Sequence, residues 1–349
     1  MKENKIISKL EPAVRKSCDI DNTLYEKYDV KRGLRNADGS GVLVGLTNVG
    51  QVIGYKKEND KVVAVPGRLL YRGIEIEDIV AGFQKDQRHG FDETVFLLLT
   101  GKLPDAEELK EFSAYLASLR SLPDHFTKDM ILSMKGRDVL NILARSVLGL
   151  YTLDEHPDSI ALDNMIKQSL NLTAKFPTIV AYSYQALRHL YKGKTLSIRH
   201  PQPELTTAEN FLYLIKGDCN GFSKLEADLL DLLLVLHAEH GGGNNSTFTM
   251  RVTSSSETDI YSSVTSAIGS LKGPLHGGAN IRALEMMEDI KANVKNWTDE
   301  EEVTQYLLKI LNKKANDMSG KIYGIGHAVY TISDPRASIL KTKARELAI

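Results

Sequence analysis

The feature that most constrains the fold is the helical spacing of apolar residues along most of the chain after residue 90. In the segment 105–119, for example, Phe112 and Leu116 fall on the same face of a helix. Spacings of three and four positions are typical of amphipathic helices that pack around a shared core. We therefore predict an all-α, multi-helical protein, in which a long helical segment at 158–190 is interrupted at Pro177.

The segment after residue 222 carries start and stop signals for a buried helix. Ser223 and Glu226 form the sequence pattern of a capping box, and three glycines at 241–243 interrupt the apolar run. We expect this helix to end at about His240, with His237 and His240 on one face of its last turn.

Strand-like sequence is confined to one short region near the N-terminus. Apolar residues at 52–53 and 62–65 flank a polar turn at 57–60, and Pro66-Gly67 follows. This pattern predicts a small β-hairpin that ends at Pro66-Gly67.

Charge balance and cysteine content exclude several classes of function. Lys and Arg number 44 against 45 Asp and Glu, so no net field favours nucleic acid or an anionic membrane. No apolar run is long enough to span a membrane, and the first residues lack a secretory signal. Cys18 and Cys219 have no metal-like spacing, which fits a reducing compartment. We expect a cytoplasmic protein without nucleic-acid or membrane partners.

Three segments combine histidine with glycine at expected helix ends. They are His240-Gly-Gly-Gly-Asn-Asn-Ser-Thr, Gly-Pro-Leu-His276-Gly-Gly-Ala-Asn and Gly-Ile-Gly-His327-Ala-Val-Tyr. His237 and His240 are three positions apart rather than the four of a zinc-binding helix, so we expect no metal. The glycines of the third segment do not follow a convincing strand, which argues against a dinucleotide site.

His276 stands at the expected start of a helix, because Ile281, Leu284 and Met287 recur after it at helical spacing. Unpaired N–H groups and the helix dipole at such a start disfavour imidazolium. We therefore expect a neutral imidazole that donates a hydrogen bond to a developing oxyanion, with the two following glycines allowing a substrate to approach. Taken alone, the pattern fits a satisfied loop histidine at least as well.

Asp334-Pro335-Arg336 has the pattern of an N-cap followed by the first turn of a helix. A guanidinium held there could bind a substrate carboxylate with two hydrogen bonds. An exposed arginine without a ligand is the simpler interpretation of this residue in isolation.

Taken together, these segments resemble the citrate synthase family closely. Further similarity comes from Leu-Tyr-Arg-Gly-Ile at 70–74 and from residues 93–104, and it extends in family order from about Gly33 to the last residue. Three motifs in register make coincidence very improbable, although each motif alone would be weak.

The resemblance implies condensation of acetyl-CoA with oxaloacetate, followed by hydrolysis of citryl-CoA to citrate and CoA. Acetyl-CoA would be a co-substrate, and no permanently bound cofactor or metal is implied. The two catalytic residues would be His276, which stabilises the enol or enolate of acetyl-CoA, and His327, which polarises the oxaloacetate carbonyl. The other site residues would be those that bind oxaloacetate, namely His240, Arg336 and Asn244, and those that lie along CoA, namely Ile322, Gly324 and Gly326.

The family architecture further implies a homodimer whose large and small domains close over the substrates. We expect an N-terminal segment at 1–40, a large helical domain at 41–275 and a small domain at 276–349, the last incomplete at its C-terminus. The family's base is an aspartate downstream of the third histidine, and neither Asp317 nor Asp334 matches it. We therefore expect the base to lie beyond residue 349 and this chain by itself to have little condensation activity.

Two alternatives remain open from the sequence. A 2-methylcitrate synthase, which takes propionyl-CoA, shares the same motifs. A non-catalytic fragment that oligomerises and binds ligands weakly is the second.

Overall fold

A computed structural model describes residues 2–21, 23–28, 46–59, 61–134, 136–217, 221–327 and 329–347. Helices account for most of this part of the chain, which confirms the all-α prediction. The helices before residue 200 are α1 (Lys2–Ser17), α2 (Thr23–Lys27), α3 (Ile76–Lys85), α4 (Phe91–Thr100), α5 (Ala106–Ser118), α6 (Asp124–Phe126), α7 (Val139–Leu150) and α8 (Leu162–Lys192). Those after it are α9 (Thr207–Lys216), α10 (Lys224–Leu236), α11 (Asn245–Ser254), α12 (Ile260–Lys272), α13 (Ala279–Asn293), α14 (Glu300–Leu311) and α15 (Pro335–Leu347). A π-helical turn (Thr127–Ser133) follows α6, and a 3₁₀ turn (Tyr151–Leu153) follows α7.

The predicted hairpin is present, and it belongs to a three-stranded antiparallel sheet. Its strands are β1 (Gly50–Glu58), β2 (Lys61–Tyr71) and β3 (Ile74–Glu75), in the order β1-β2-β3. The prediction that the hairpin ends at Pro66-Gly67 is wrong, because β2 continues through both residues. The register shifts between Ile53 and Tyr55, opposite this part of β2. Such an irregularity can accommodate a proline that cannot donate to the ladder.

Helix α8 differs from its prediction at Pro177. It runs without a break for 31 residues, with the proline inside it. Thr178, the next residue, donates its hydroxyl proton to the backbone oxygen of Arg120 at 2.9 Å, so tertiary contacts hold the helix at this point. No helix within the described ranges is both long enough and apolar enough to cross a membrane.

The helix starts follow their local sequence signals. Ser223 caps α10 by accepting from the backbone N–H of Glu226, whose carboxylate accepts from the backbone N–H of Ser223, which confirms the predicted capping box. The same reciprocal arrangement occurs before α5 and α9. Caps of this kind stabilise a helix by about 1 kcal/mol each.

The buried apolar residues form several clusters, and the last of them is confined to the C-terminal part of the chain. Met286, Ile290 and Val294 pack there against Ile310 of α14 and against Ile322. A separate apolar cluster holds α1 against α4, α5 and α8. No helix was predicted in the N-terminal segment 1–40. The predicted domain boundary at 40/41 lies outside the described residues.

Arg72, in the tight turn between β2 and β3, joins the sheet to two helix ends. Its guanidinium donates to the backbone oxygen of Leu98 near the end of α4 and to that of Ser17 at the end of α1. It also donates to the side-chain oxygen of Asn48 at 2.7 Å. One side chain therefore satisfies carbonyl groups that the two helices leave unpaired.

The segment 329–334 returns to the sheet and lies directly against it. A Cβ added at Gly67 would be 2.0 Å from the backbone oxygen of Ser333, and one added at Gly54 would be 2.4 Å from that of Val329. The backbone N–H of Gly67 donates to the Ser333 hydroxyl at 3.2 Å, and the Tyr330 hydroxyl donates to the backbone oxygen of Arg68 at 3.2 Å. Only glycine at these two sheet positions permits so close an approach.

We expect Gly67→Ala to displace the segment 329–334 and to destabilise the fold by about 1–3 kcal/mol, since the new methyl group overlaps backbone atoms. Calorimetric unfolding measures the effect. Gly82→Ala in α3 is the control, because nothing lies within 4 Å of the added Cβ; it should stabilise the helix by about 0.5–1 kcal/mol. A Gly67→Ala protein as stable as the wild type would contradict the close approach.

Candidate active site

The segment that carries His240 differs from its prediction. Helix α10 ends at Leu236 rather than near His240, and His237 occupies the C-cap position. Its ring nitrogen Nδ1 lies 2.7 Å from the backbone oxygen of Leu233, so His237 closes the helix and points away into solvent. The prediction that His237 and His240 share a helical face is therefore wrong. His240 lies in the loop that follows.

The rings of His240, His327 and Tyr330 lie close together in the candidate site. The ring centroids of His240 and His327 are 5.5 Å apart, and the Tyr330 ring lies 5.8 Å from His240 and 4.7 Å from His327. Tyr330 is buried, and burial raises its pKa to about 12. The phenol thus stays protonated and acts as a packing surface for both imidazoles.

The hydrogen bonds of His327 define which of its nitrogens carries the proton. Its Nδ1 accepts from the backbone N–H groups of Val329 at 3.0 Å and Tyr330 at 2.9 Å. A nitrogen that accepts two hydrogen bonds cannot itself be protonated, so the ring is neutral with its proton on Nε2. The Nε2–H group is therefore available as a hydrogen-bond donor.

Arg336 and Asp334 form a two-bonded ion pair beside these rings. Arg336 donates from Nε to Oδ1 of Asp334 at 3.0 Å and from Nη2 to Oδ2 at 2.7 Å. Oδ1 also accepts the backbone N–H of Arg336, so Asp334 caps α15 as predicted. Burial disfavours the Asp334 carboxylate, but the hydrogen bonds and charge of Arg336 outweigh it and lower the pKa of Asp334. The closest approach of this carboxylate to His327 Nε2 is 3.8 Å.

His240 has an unmet hydrogen-bonding requirement. Its Nε2 is buried and has no partner within the described part of the chain. Burial, together with the nearby positive charge of Arg336, lowers the pKa of His240 to about 4. A neutral imidazole with a buried free nitrogen has lost its water without gaining a partner, a cost that a polar ligand could offset.

His276 is hydrogen-bonded to Ser246, which was not among the predicted site residues. Its Nε2 lies 2.8 Å from the Ser246 hydroxyl, which is also 3.0 Å from the backbone oxygen of Ala267. The signal for this contact was present, since Ser246 belongs to the Gly-Gly-Gly-Asn-Asn-Ser-Thr motif that follows His240. Only the fold could show that the first and second histidine motifs touch here.

The helix after His276 is α13, which begins three residues later, at Ala279. The two glycines between them are required by the turn of the chain itself. A Cβ added at Gly277 would be 2.1 Å from the backbone oxygen of Leu271, and one at Gly278 would be 2.3 Å from that of Pro274. The expectation that these glycines also let a substrate approach stays a prediction.

The remaining predicted residues occupy helix ends and an exposed loop. Asn244 caps α11, and its side-chain oxygen accepts from the backbone N–H groups of Ser246 and Thr247. Gly324 and Gly326 have φ values of +90° and +92° with nothing within 4 Å of an added Cβ, so this backbone is open. Their neighbour Ile322 packs into the C-terminal apolar cluster and anchors the loop.

The structure thus brings His240, His327 and Arg336 together and adds Tyr330 and Asp334, which the sequence argument had not assigned to the site. Within the described residues, no hydrogen bond or ring contact joins His276 directly to the other two histidines. Its link to them runs through Ser246 and the loop after His240. The roles implied by the family resemblance require all three imidazoles to face one cleft, and this convergence stays a prediction. No three His, Cys, Asp or Glu side chains in the described ranges are grouped so that they could hold a metal ion.

The chain is similar to known citrate synthases in sequence and in fold. The family model for the citrate synthase C-terminal domain matches residues 38–349. A citrate synthase of Deinococcus radiodurans is 37% identical over 282 residues, which cover 81% of this chain and 68% of the relative. A 2-methylcitrate synthase of Shewanella oneidensis is 33% identical over 281 residues, which cover 80% and 67%. A crystal structure of citrate synthase from Thermotoga maritima MSB8 superposes with a TM-score of 0.66 at 30% identity, covering 88% of this chain and 71% of that one.

Fold and site together define a mainly helical protein with histidines and an arginine around a polar site. The chain belongs to the citrate synthase family, and it is therefore an acyltransferase of that type.

The lowered pKa of His240 predicts how the stability of the folded protein changes with pH. The unfolded imidazole takes up a proton near pH 6.5, whereas the folded one does so only near pH 4. The unfolded state therefore binds more protons between these values, and stability is lost as the pH falls from 6.5 towards 4. We expect His240→Asn to reduce the fall in melting temperature over this interval, as measured by calorimetry. His237→Asn, an exposed control, should leave the fall unchanged, and equal slopes for all three proteins would refute the assignment.

Proposed function

We propose that this protein condenses oxaloacetate with acetyl-CoA and hydrolyses the resulting citryl-CoA to citrate and CoA. The observation that carries the proposal is the buried Nε2 of His240, which has no partner among the residues that the structure describes. It lies near the His327 ring and the guanidinium of Arg336. These groups suit a small keto acid that offers both carbonyl and carboxylate oxygens.

In this proposal the keto acid lies between the histidines and Arg336. The Nε2–H group of His327 donates a hydrogen bond to the keto oxygen, and this hydrogen bond polarises the carbonyl group for attack at carbon. Arg336 binds a carboxylate, and Asp334 holds the guanidinium in place before the substrate arrives. Because the pKa of His240 is low, this ring stays neutral and can make a hydrogen bond without adding charge.

His276 is proposed to stabilise the enol of the acyl-CoA. The Ser246 hydroxyl can give its proton either to the Ala267 carbonyl or to Nε2 of His276. In the second arrangement the neutral ring carries its proton on Nδ1 and can donate to the thioester oxygen as negative charge develops. The open backbone at Gly324 and Gly326 is proposed to lie along CoA.

A base must remove the proton from the methyl carbon, and we do not assign it to Asp334. This carboxylate is already used by Arg336 and by the cap of α15. Its lowered pKa also makes it a weak base.

The first test is oxaloacetate binding to the 349-residue chain by isothermal titration calorimetry. We expect Arg336→Gln to weaken binding by about tenfold or more, because a two-bonded, charge-assisted contact is lost. Arg345→Gln, an exposed arginine of the same helix, is the matched control and should bind as the wild type does. Absence of oxaloacetate binding would remove the basis of the proposal and favour the non-catalytic alternative.

Because no base is assigned, acyl specificity is tested by the relative rates of thiol release with the two acyl-CoA substrates, even where both rates are low. Faster turnover of acetyl-CoA supports the citrate synthase assignment. Turnover that is faster with propionyl-CoA would assign the protein as a 2-methylcitrate synthase instead.

We further propose the domain division at 275/276 and a homodimer. The C-terminal cluster of α13 and α14 supports a separate small domain.

The homodimer is supported by the exposed face of α13. Ile281 is 56% exposed, Leu284 58% and Met287 41%, although their spacing predicted the buried face of this helix. Such a stripe fits the corresponding surface of a second copy. The exposed thiol of Cys18 is in keeping with a reducing, cytoplasmic location.

We expect Leu284→Glu to shift the protein from dimer to monomer, because it places a charge in the middle of this stripe. Sedimentation velocity distinguishes the 38.8 kDa chain from a species of twice that mass. Glu285→Gln on the same helix is the control, and its oligomeric state should not change. A wild-type protein that sediments as a monomer would contradict the dimer.

A further inference from the structure

Lys175 lies in the middle of α8, on a part of the molecule that the proposed reaction does not use. It is half-buried and lines a cavity of about 720 Å³ near the ends of α7 and α12. The same cavity is lined by Leu122, Leu150, Asp154, Gln168 and Tyr261.

The amine of Lys175 makes two hydrogen bonds, both to neutral oxygens. Nζ donates to the backbone oxygen of Leu119 at 2.7 Å, just past the end of α5, and to the side-chain oxygen of Asn171 one turn earlier in α8. No salt bridge to a carboxylate is found for it within the described residues. A free amine has two N–H groups and one lone pair, so these two acceptors match the uncharged form.

The charged groups around the cavity that the structure describes form no ion pair with Nζ of Lys175. Asp154, the most buried carboxylate of the cavity wall, accepts from the Tyr261 hydroxyl at 2.7 Å, from Gln168 Nε2 at 2.9 Å and from the backbone N–H of His156 at 2.9 Å. Glu155, His156 and Lys167 also line the cavity, but none is hydrogen-bonded to Nζ.

The described residues at the end of α5, next to Lys175, provide no carboxylate for Nζ either. Arg120, which follows Leu119, directs its guanidinium to the backbone oxygens of Gln202 and Leu205. Since no described carboxylate is bonded to Nζ, burial lowers the pKa of Lys175 to about 8.

We propose that Lys175 is a nucleophilic lysine that takes up acyl groups from thioesters. The Nζ lone pair attacks the thioester carbonyl carbon, the carbon–sulfur bond breaks, and the electron pair leaves with sulfur. The proton lost from nitrogen goes to the thiolate, so the products are an amide on Lys175 and a free thiol. The proposal does not depend on the condensation activity, because any small acyl thioester that enters the cavity can react.

A lysine that serves only to cap α5 would behave differently. Cationic side chains often bind the last carbonyl groups of a helix, and they do so as charged groups. A capping ammonium has no lone pair and would react no faster than an exposed lysine. The two roles are therefore separated by the reaction rate at a pH near neutrality.

The experiment incubates the 349-residue protein with S-acetyl-N-acetylcysteamine at pH 7.5 and maps acetyl-lysine by peptide mass spectrometry. The reference is Lys110, an exposed lysine on α5. We expect Lys175 to be acetylated on the order of ten times faster, because a far larger fraction of it is free amine at this pH. A parallel arm with acetyl-CoA tests whether the larger donor also reaches the cavity; slower reaction there would mean that the cavity selects small thioesters.

Asn171→Asp gives the sharpest comparison, since it keeps the lysine and the size of its partner but adds a carboxylate. The ion pair should hold Nζ as ammonium and reduce acetylation of Lys175 to the rate of Lys110. Lys175→Arg should abolish labelling at this position and leave Lys110 unchanged. Equal rates for Lys175 and Lys110 in the wild type would overturn the proposal.

A second measurement applies if Asn171→Asp fails to fold. The wild-type acetylation rate of Lys175 is followed against pH, with Lys110 again as the reference. Half of the maximal rate should be reached near pH 8. A rate that keeps rising to pH 10, in parallel with that of Lys110, would equally overturn the proposal.

Discussion

The site depends on a close contact between the small sheet and the segment 329–334. At Gly54 and Gly67 the backbone of this segment occupies space that any larger side chain would fill. The contact carries His327 to His240, two residues far apart in the chain, and Tyr330 then packs against both rings. Packing of backbone against backbone thus determines which polar groups share the site.

Electrostatics then determines the state of those groups. The one formal ion pair of this cluster, Asp334 with Arg336, is internally neutral and leaves the two histidines without a carboxylate in hydrogen-bonding contact. His327 is neutral because two backbone donors occupy its Nδ1, whereas His240 is neutral because burial and Arg336 oppose its protonation. Two different causes produce the same result, a pair of uncharged imidazoles. Such groups can donate or accept hydrogen bonds and need not lose a proton first.

Local signals were sufficient for most helices, and they singled out the histidines of the proposed site. The cap at Ser223 and the histidine motifs depend on neighbours in sequence, so they could be recognised without the fold. The end of α10 before His240 and the unbroken helix at Pro177 could not be recognised in this way, because tertiary contacts outweigh the local preference. The Tyr71 hydroxyl donates to the backbone oxygen of Val235 and accepts from the backbone N–H of Glu239 at the end of α10, and Thr178 is bonded to Arg120 in α8. Tyr330 and Ser246 were missed for the same reason, since each has a partner distant in sequence, His240 for Tyr330 and His276 for Ser246.

Arg72 has a consequence for how the molecule opens. Its guanidinium donates to the end of α1, to the end of α4 and to Asn48 before β1. Loss of any one of these elements would leave part of the guanidinium without an acceptor, so they should exchange their amide hydrogens as one cooperative unit. The N-terminal helix would then be protected to the same degree as the sheet and would not fray as an independent end.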